Sequence, residues 1–288
     1  MHVFVTGATG WVGSAVVREL LDAGHRVTGL ARSADKASTL AAQGVDVLRA
    51  TLDDHQLLHN AAANADGVIH TAFNHDFSRF AESVRQDRRA IEALGSALKG
   101  TDRPLLVTSG LSGLARGASE ADQPNPAAPR QSEAAARALA EQGVRASTIR
   151  LAPSVHGVGD HGFVPIVIER ARESGLSGYL GDGQNAWSGV HRLDAARLYR
   201  LALEDGAAEP VYHAVADEAI TFKTIAEKIG HQLTLPVPMC DAEHFGWFAR
   251  MAGGDMAASS ARTRAQLGWE PEGPTLLEDL DKPGYYNA

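Results

Sequence analysis

The sequence predicts a doubly wound α/β fold, and three observations carry that prediction. Short apolar runs of strand type alternate with segments of helical period over the first half of the chain. Three spaced glycines follow the first such run directly, and 288 residues suffice for one large α/β domain or a domain with an appended lobe.

Taken in order, Val3–Thr6 is a short strand-type run. After the glycines, Val12, Val16, Val17, Leu20 and Leu21 recur at helical spacing, and Gly24 stands where a helix C-cap falls. Arg26–Leu30 is then a second strand, which completes a βαβ unit and implies a parallel pair. Ser33 can cap a helix that ends before Gly44; Val45–Leu48 is a third strand and Val68–Ala72 a fourth. A helical stretch from about Phe77 to Leu98 leads to Leu105–Thr108, and one over Ser132–Gln142 leads to Ala146–Leu151, giving six strands. Gly110–Pro129, with Pro124, Pro126 and Pro129, has no clear period and reads as a loop over the carboxyl edge of the sheet.

Beyond Leu151 glycines crowd, helices recur near 164–174, 192–204, 222–229, 242–251 and 260–267, and strands are sparse. The expected organisation is therefore a Rossmann-type dinucleotide-binding domain over residues 1–151 and a smaller, mostly C-terminal substrate lobe over 152–288. The chain has room to cross back between them.

Lys and Arg number 27 against 35 Asp and Glu, for a net charge of −8 with no basic block, so nucleic acid is not an expected partner. No run of about 18 apolar residues occurs, and MHVFVTGATG lacks the basic and apolar regions of a leader, so no membrane partner is expected either. Cys240 is the only cysteine, which excludes an intrachain disulfide. A soluble protein of a reducing compartment, the cytoplasm, is the expectation.

Gly7-Ala8-Thr9-Gly10-Trp11-Val12-Gly13 fits GxxGxxG between a strand and a helix. Missing side chains there let backbone amides and the helix dipole meet a pyrophosphate, so Gly7, Thr9, Gly10, Trp11, Val12 and Gly13 are expected to bind a dinucleotide. A site for NAD usually places an acid at the end of the second strand, whereas this chain has Arg32, followed by Ser33 and then Lys36. Arg32 can pair bidentately with a 2′-phosphate, so NADP(H) is preferred and NAD(H) remains possible; nearby Asp35 keeps open the alternative of a solvated surface arginine.

Here the chain resembles the extended or atypical branch of the short-chain dehydrogenase/reductase superfamily, which includes NAD(P)-dependent epimerases and dehydratases. The resemblance rests on Thr6–Gly13, GVIHTAF at 67–73, LLVTSG at 105–110, IRLAPSVHG at 149–157, VHRLDAARL at 190–198 and LGWEP at 267–271. It implies that Leu52 flanks the adenine, that Thr71, Ala72 and Phe73 line the cofactor, and that Pro153 and Val155 approach the nicotinamide. The second lobe would bind substrate.

That superfamily's chemistry rests on Tyr-x-x-x-Lys, whose phenol exchanges a proton as hydride moves. The pair is absent: none of Tyr179, Tyr199, Tyr212, Tyr285 and Tyr286 has a lysine four positions on, and the corresponding segment reads Pro129-Arg130-Gln131-Ser132-Glu133. Ser109, at the end of the fifth strand, is a candidate catalytic hydroxyl by the resemblance, or else a strand-end group satisfying loop backbone. His156 is a second catalytic candidate because imidazole titrates near neutrality, against the alternative of a structural histidine. Asn74, Phe163, Trp187 and His191 are candidate substrate contacts, with lobe packing or a helix-start network as the competing readings for the last three. His55 and His59 have the spacing of a zinc helix, but Gln56 stands where the metalloprotease glutamate belongs, so no metal is expected.

The leading expectation is an NADP(H)-dependent oxidoreductase acting on a small carbonyl or alcohol. A non-catalytic NADP(H)-binding sensor and a nucleotide-sugar epimerase or dehydratase are the alternatives. Substrate identity and oligomeric state are not legible.

Overall fold

Alternation of apolar residues with period two decides the first layer. In strand β1 (His2–Thr6), Val3 and Val5 point into one buried cluster and Phe4 into another, so both faces of the strand are covered. A computed structural model describes residues 1–286, the Phe77 side chain excepted. It contains a seven-stranded parallel sheet made from β1, β2 (Arg26–Ala31), β3 (Asp46–Arg49), β4 (Gly67–His70), β5 (Leu105–Gly110), β6 (Ala146–Leu151) and a strand from later in the chain. Their spatial order is β3-β2-β1-β4-β5-β6 followed by that late strand, so the winding reverses between β1 and β4. Such a reversal opens a crevice at the carboxyl ends of the two strands, where ligands bind in folds of this kind.

Helices α1 (Trp11–Asp22) and α2 (Ala34–Ala41) supply Val16, Val17, Leu20 and Leu40 to one face of the sheet. Helices α3 (His55–Ala63), α4 (Phe80–Ser96) and α5 (Ser132–Ala140) supply Leu58, Ile91, Leu94 and Leu139 to the other. The helix expected from about Phe77 begins instead with a 3₁₀ turn over Phe77–Arg79, capped by Asp76.

After β6 come β7 (Ser154–His156), α6 (Phe163–Ser174), β8 (Tyr179–Leu180), β9 (Ala186–His191), α7 (Arg192–Glu204), β10 (Val211–Ala214), β11 (Asp217–Thr221), α8 (Phe222–Leu233) and β12 (Met239–Cys240). The short helices α9 (Ala242–Phe245), α10 (Ala249–Ala252), α11 (Ala261–Leu267) and α12 (Leu276–Leu280) complete the chain. Two of these elements return to the first layer. β10 is the seventh strand, parallel to β6, and α7 packs along α1 with Arg200 bonded to Glu19 and Arg192 to the Ser14 hydroxyl. The sheet thus has one strand more than the six expected from the sequence. β10 is only four residues long and is spelled Val-Tyr-His-Ala, which carries little alternation.

The other late strands form a three-stranded sheet ordered β11-β9-β7 and a parallel pair of β8 with β12. Trp187 lies fully buried among Phe222, Phe248 and Phe163, and its indole N–H donates to the Met251 carbonyl at 3.3 Å. Aromatic edge-to-face packing of this kind makes it the core of the smaller lobe. No helix among the described residues is long and apolar enough to cross a membrane.

The edge of the main sheet carries a buried polar network. Glu133 takes two hydrogen bonds from Arg150 at 2.6 and 2.8 Å, and Arg150 reaches His213 Nε2 at 3.0 Å while His213 Nδ1 lies 2.7 Å from the Ser259 carbonyl. Both distances are satisfied by a neutral ring that donates from Nδ1 and accepts at Nε2. Burial, and secondarily Arg150, hold the His213 pKa below its ordinary value, with the Ser259 carbonyl, Glu120 and Glu133 opposing. In the window between that depressed value and about 6.5 the unfolded chain binds the extra proton, so this contribution favours folding above about 6.5 and is lost as the pH falls through the window. Urea midpoints at pH 7.5 and 5.5 should therefore fall on acidification, and His213→Gln should flatten that fall; an equal fall in both proteins refutes the assignment.

Candidate active site

The glycine turn is shaped by how closely two backbones approach. Gly7 has φ +68°, and a Cβ on it would lie 2.7 Å from the Ala72 nitrogen and from the Thr71 hydroxyl. A Cβ on Gly13 would lie 2.1 Å from the Gly7 carbonyl oxygen, an impossible contact. Gly10 N–H donates to that same carbonyl at 2.8 Å, and Gly10 is the cap residue of α1 with no side chain to occupy the helix mouth. The first amides of α1 have no acceptor within the helix and face the crevice with the positive end of its dipole. This cradle fits a dinucleotide pyrophosphate.

From the turn a single cleft of about 1870 Å³ runs along the carboxyl edge of the sheet. At one end stand Arg32, Ser33 and Lys36, just past β2, with Leu52 past β3. Ser33 caps α2 by accepting from the Lys36 amide, and Arg32 is exposed and forms no ion pair with Asp35 among the described residues. The middle is lined by Gly7, Thr9, Gly10, Trp11, Val12, Gly13, Thr71, Ala72 and Phe73. At the far end lie Asn74, Ser109, Pro153, Val155 and Phe163. Trp11 closes the wall between the lobes: its indole N–H donates to the Val155 carbonyl at 2.6 Å, and the Arg192 guanidinium lies 4.1 Å over its ring.

Three of the expected site residues do not line this cleft. His156 is fully buried, its Nδ1 2.6 Å from Asp279 Oδ2, and its ring meets His191 edge-on at 5.7 Å. It anchors α12 to β7, and a group so enclosed cannot meet a substrate in the cleft. His191 packs beside Gly157 and Gly273, half-buried, with its pKa lowered chiefly by burial. Trp187 belongs to the lobe core described above. The sequence cannot separate these readings, because a histidine or tryptophan at a strand end looks the same whether it faces a cleft or a neighbouring helix.

Ser109 is mostly buried, lines the cleft, and its hydroxyl makes no hydrogen bond among the described residues, which leaves it free to donate to a ligand oxygen. None of the five tyrosines lines the cleft. Tyr199 and Tyr285 each bond a lining residue, but the Tyr199 hydroxyl is buried against Thr108 Oγ1 at 2.6 Å and that of Tyr285 against Asp160, and burial raises both pKa values well above the usual phenol range. The segment that replaces the Tyr/Lys pair instead brings Arg130 into the lining and turns Glu133 onto Arg150. Sequence reasoning also missed Phe80, Arg137, Arg250, Met251 and Met256, which line the cleft from α4, α5 and the α10 region. These carry no motif and are gathered only by the fold.

Residues 7–152 match the model of a family described as NAD(P)H-binding, and the chain belongs to that family. An uncharacterized protein of Schizosaccharomyces pombe is 46% identical over 295 residues, spanning 99% of this chain and 100% of the relative. A 2-alkyl-3-oxoalkanoate reductase of Stenotrophomonas maltophilia is 32% identical over 221 residues, spanning 71% of this chain and 66% of its own. Among solved structures, a UDP-glucose 4-epimerase of Thermotoga maritima superposes with a TM-score of 0.75 at 18% identity, covering 100% of this chain and 98% of that one. The chain accordingly shares its fold with that epimerase.

Because a Gly13 Cβ has no space, Gly13→Ala should weaken binding of a reduced nicotinamide dinucleotide by about tenfold or more, read as loss of fluorescence transfer from protein to NADPH. Unchanged binding would show that the turn does not hold the pyrophosphate.

Proposed function

We propose that this protein is an NADP(H)-dependent oxidoreductase acting on a small carbonyl or alcohol substrate. The observation that carries the reading is the continuity of the cleft: one wall joins the Arg32 end, the glycine cradle and the free Ser109 hydroxyl. In that arrangement Arg32 and Lys36 offer charge to a 2′-phosphate, and no acidic side chain from the end of β2 stands against it. The cradle amides take the pyrophosphate. A bound nicotinamide supplies or accepts hydride; the chain's own part is to orient the ligands, exclude water and polarise the substrate oxygen through Ser109. The reductase among the relatives supports a carbonyl substrate by its name.

With no tyrosine in the cleft, a non-catalytic NADP(H) sensor is the second reading. The two separate on turnover: reduction of any member of a panel of small aldehydes, ketones and oxo acids at saturating NADPH supports the enzyme, and none supports the sensor. For the enzyme, Ser109→Ala should lower kcat by about a hundredfold, the usual cost of one polarising donor, with NADPH affinity unchanged. An undiminished kcat removes Ser109 from the chemistry.

Cofactor choice is tested separately. Arg32→Asp should lower the preference for NADPH over NADH by about tenfold or more, measured as the ratio of the two dissociation constants. A ratio that stays fixed sinks the 2′-phosphate assignment.

A further inference from the structure

Arg130 stands in the cleft where the superfamily's proton-donating pair is missing, and its surroundings are unlike those of the other cations there. Its Nε donates to the Ser132 hydroxyl at 3.0 Å, and Nη2 donates to the Thr108 carbonyl at 3.1 Å, one residue before Ser109. Its guanidinium lies 4.3 Å over the ring of Phe73, another lining residue. Arg130 forms no ion pair among the described residues. The nearby carboxylate, Asp87, is fully buried with both oxygens committed: Oδ1 lies 3.0 Å from His70 Nε2, and Oδ2 accepts from Ser132 at 2.6 Å. His70 Nδ1 in turn lies 2.7 Å from the Thr6 hydroxyl, beside the glycine cradle. A buried chain of Thr6, His70, Asp87 and Ser132 therefore fixes the Nε side of Arg130, while the Nη1 edge keeps its donors unspent.

Burial works against the Arg130 charge and lowers its pKa, with Asp87 opposing from beyond contact distance. A second basic group, His75, shares this end of the cleft and is held neutral more readily than usual, by burial first and by Arg130 next. The three lining carboxylates do not pair with it, since Asp160 is bonded to Tyr285, Glu133 to Arg150, and Asp53, past β3, to Gln86. A cation that is positioned so firmly and left without a counter-ion is arranged for an anion that arrives with the ligand.

We infer that Arg130 is the substrate-anchoring residue, and that the substrate carries a carboxylate one or two carbons from the carbon whose oxygen Ser109 polarises. The inference rests on the oxidoreductase reading and narrows it to oxo and hydroxy acids. The planar fork suits a carboxylate taken bidentately from the Nη1 edge, and Phe73 and Phe163 offer apolar walls for the remaining carbon chain. Nothing in the role requires Arg130 to move a proton.

The test uses the full chain loaded with NADP⁺ and two probes, 3-hydroxybutyrate and its neutral counterpart 1,3-butanediol, with binding read by calorimetry. Wild type should take 3-hydroxybutyrate at least about tenfold more tightly than the diol, Arg130→Met should abolish that preference, and Arg130→Lys should restore part of it. NADPH affinity, measured on all three proteins by fluorescence, should agree within about twofold, which also reports that the variants are folded. Equal binding of the two probes by wild type overturns the inference, as does a preference that survives in Arg130→Met. A selective loss of NADPH affinity in Arg130→Met overturns it differently, by placing the guanidinium on the cofactor. Failure of wild type to bind NADPH at all is the distinct result that removes the oxidoreductase reading itself.

Discussion

The rest of the structure depends on one close approach, that of α1 to the ends of β1 and β4. Two absent side chains make it possible: a Cβ on Gly13 would sit 2.1 Å from the Gly7 oxygen, and one on Gly7 would meet the Thr71–Ala72 backbone. Thr71 seals the contact by donating its hydroxyl to the Thr6 carbonyl at 2.8 Å. With the helix this near the strand ends, its unsatisfied amides open onto the crevice at the point where the winding reverses. The cofactor cradle is thus a property of backbone geometry. Its electrostatics come from peptide dipoles, so the turn suits a pyrophosphate even in a chain of net charge −8.

Within the second half of the chain, polar groups that resemble site residues in sequence act as fasteners in space. Asp194 accepts from the Glu272 and Gly273 amides at 2.9 and 2.8 Å, and Trp269 donates its indole N–H to the Asp194 carbonyl at 3.0 Å. The VHRLDAARL and LGWEP motifs are therefore two halves of one joint between α7 and the C-terminal segment. His156 with Asp279 makes a second joint, and Lys282 closes on Asp279 at 2.7 Å. Asp194 and the Asp279–His156 pair thus take partners from more than 70 residues away, alongside one apolar cluster that runs from Val3 and Val16 through Leu198 to Trp187 and Phe222.

Local signals carried the first lobe. The alternation from β1 to β6, the glycine turn and the Arg32 end of the cleft were legible because each rests on residues close in sequence: period, spacing, a strand followed by its own loop. What escaped was whatever depends on distant chain. β10 joins the sheet from residue 211 onward with four residues of weak pattern, and α7 crosses back to α1 through Arg200 and Glu19. His156 and Trp187 look like cleft residues until Asp279, Phe222 and Phe248 are placed around them. Arg130 was visible only as part of a segment where a motif is missing; its isolation from any ion pair among the described residues is a fact of the assembled fold.

That isolation also bears on how a site can lose its Tyr/Lys pair and keep a role. In the paired arrangement, a lysine beside a phenol favours the phenolate and so tunes a proton donor. Here the local charges are redistributed. The acid at the start of α5 is turned away and neutralised by Arg150, which leaves Arg130, two residues before the helix, with the Ser132 hydroxyl and no carboxylate as its partner there. The carboxylate that faces Arg130 is screened from it by the Ser132 hydroxyl and shared with His70. The positive charge is therefore kept in the cleft lining, where burial opposes it and Asp87 offsets part of that cost. On the proposal that Arg130 anchors a carboxylate, such a site discriminates by charge before it does any chemistry. Ser109, whose hydroxyl makes no hydrogen bond among the described residues, follows directly on the Thr108 carbonyl that Arg130 holds.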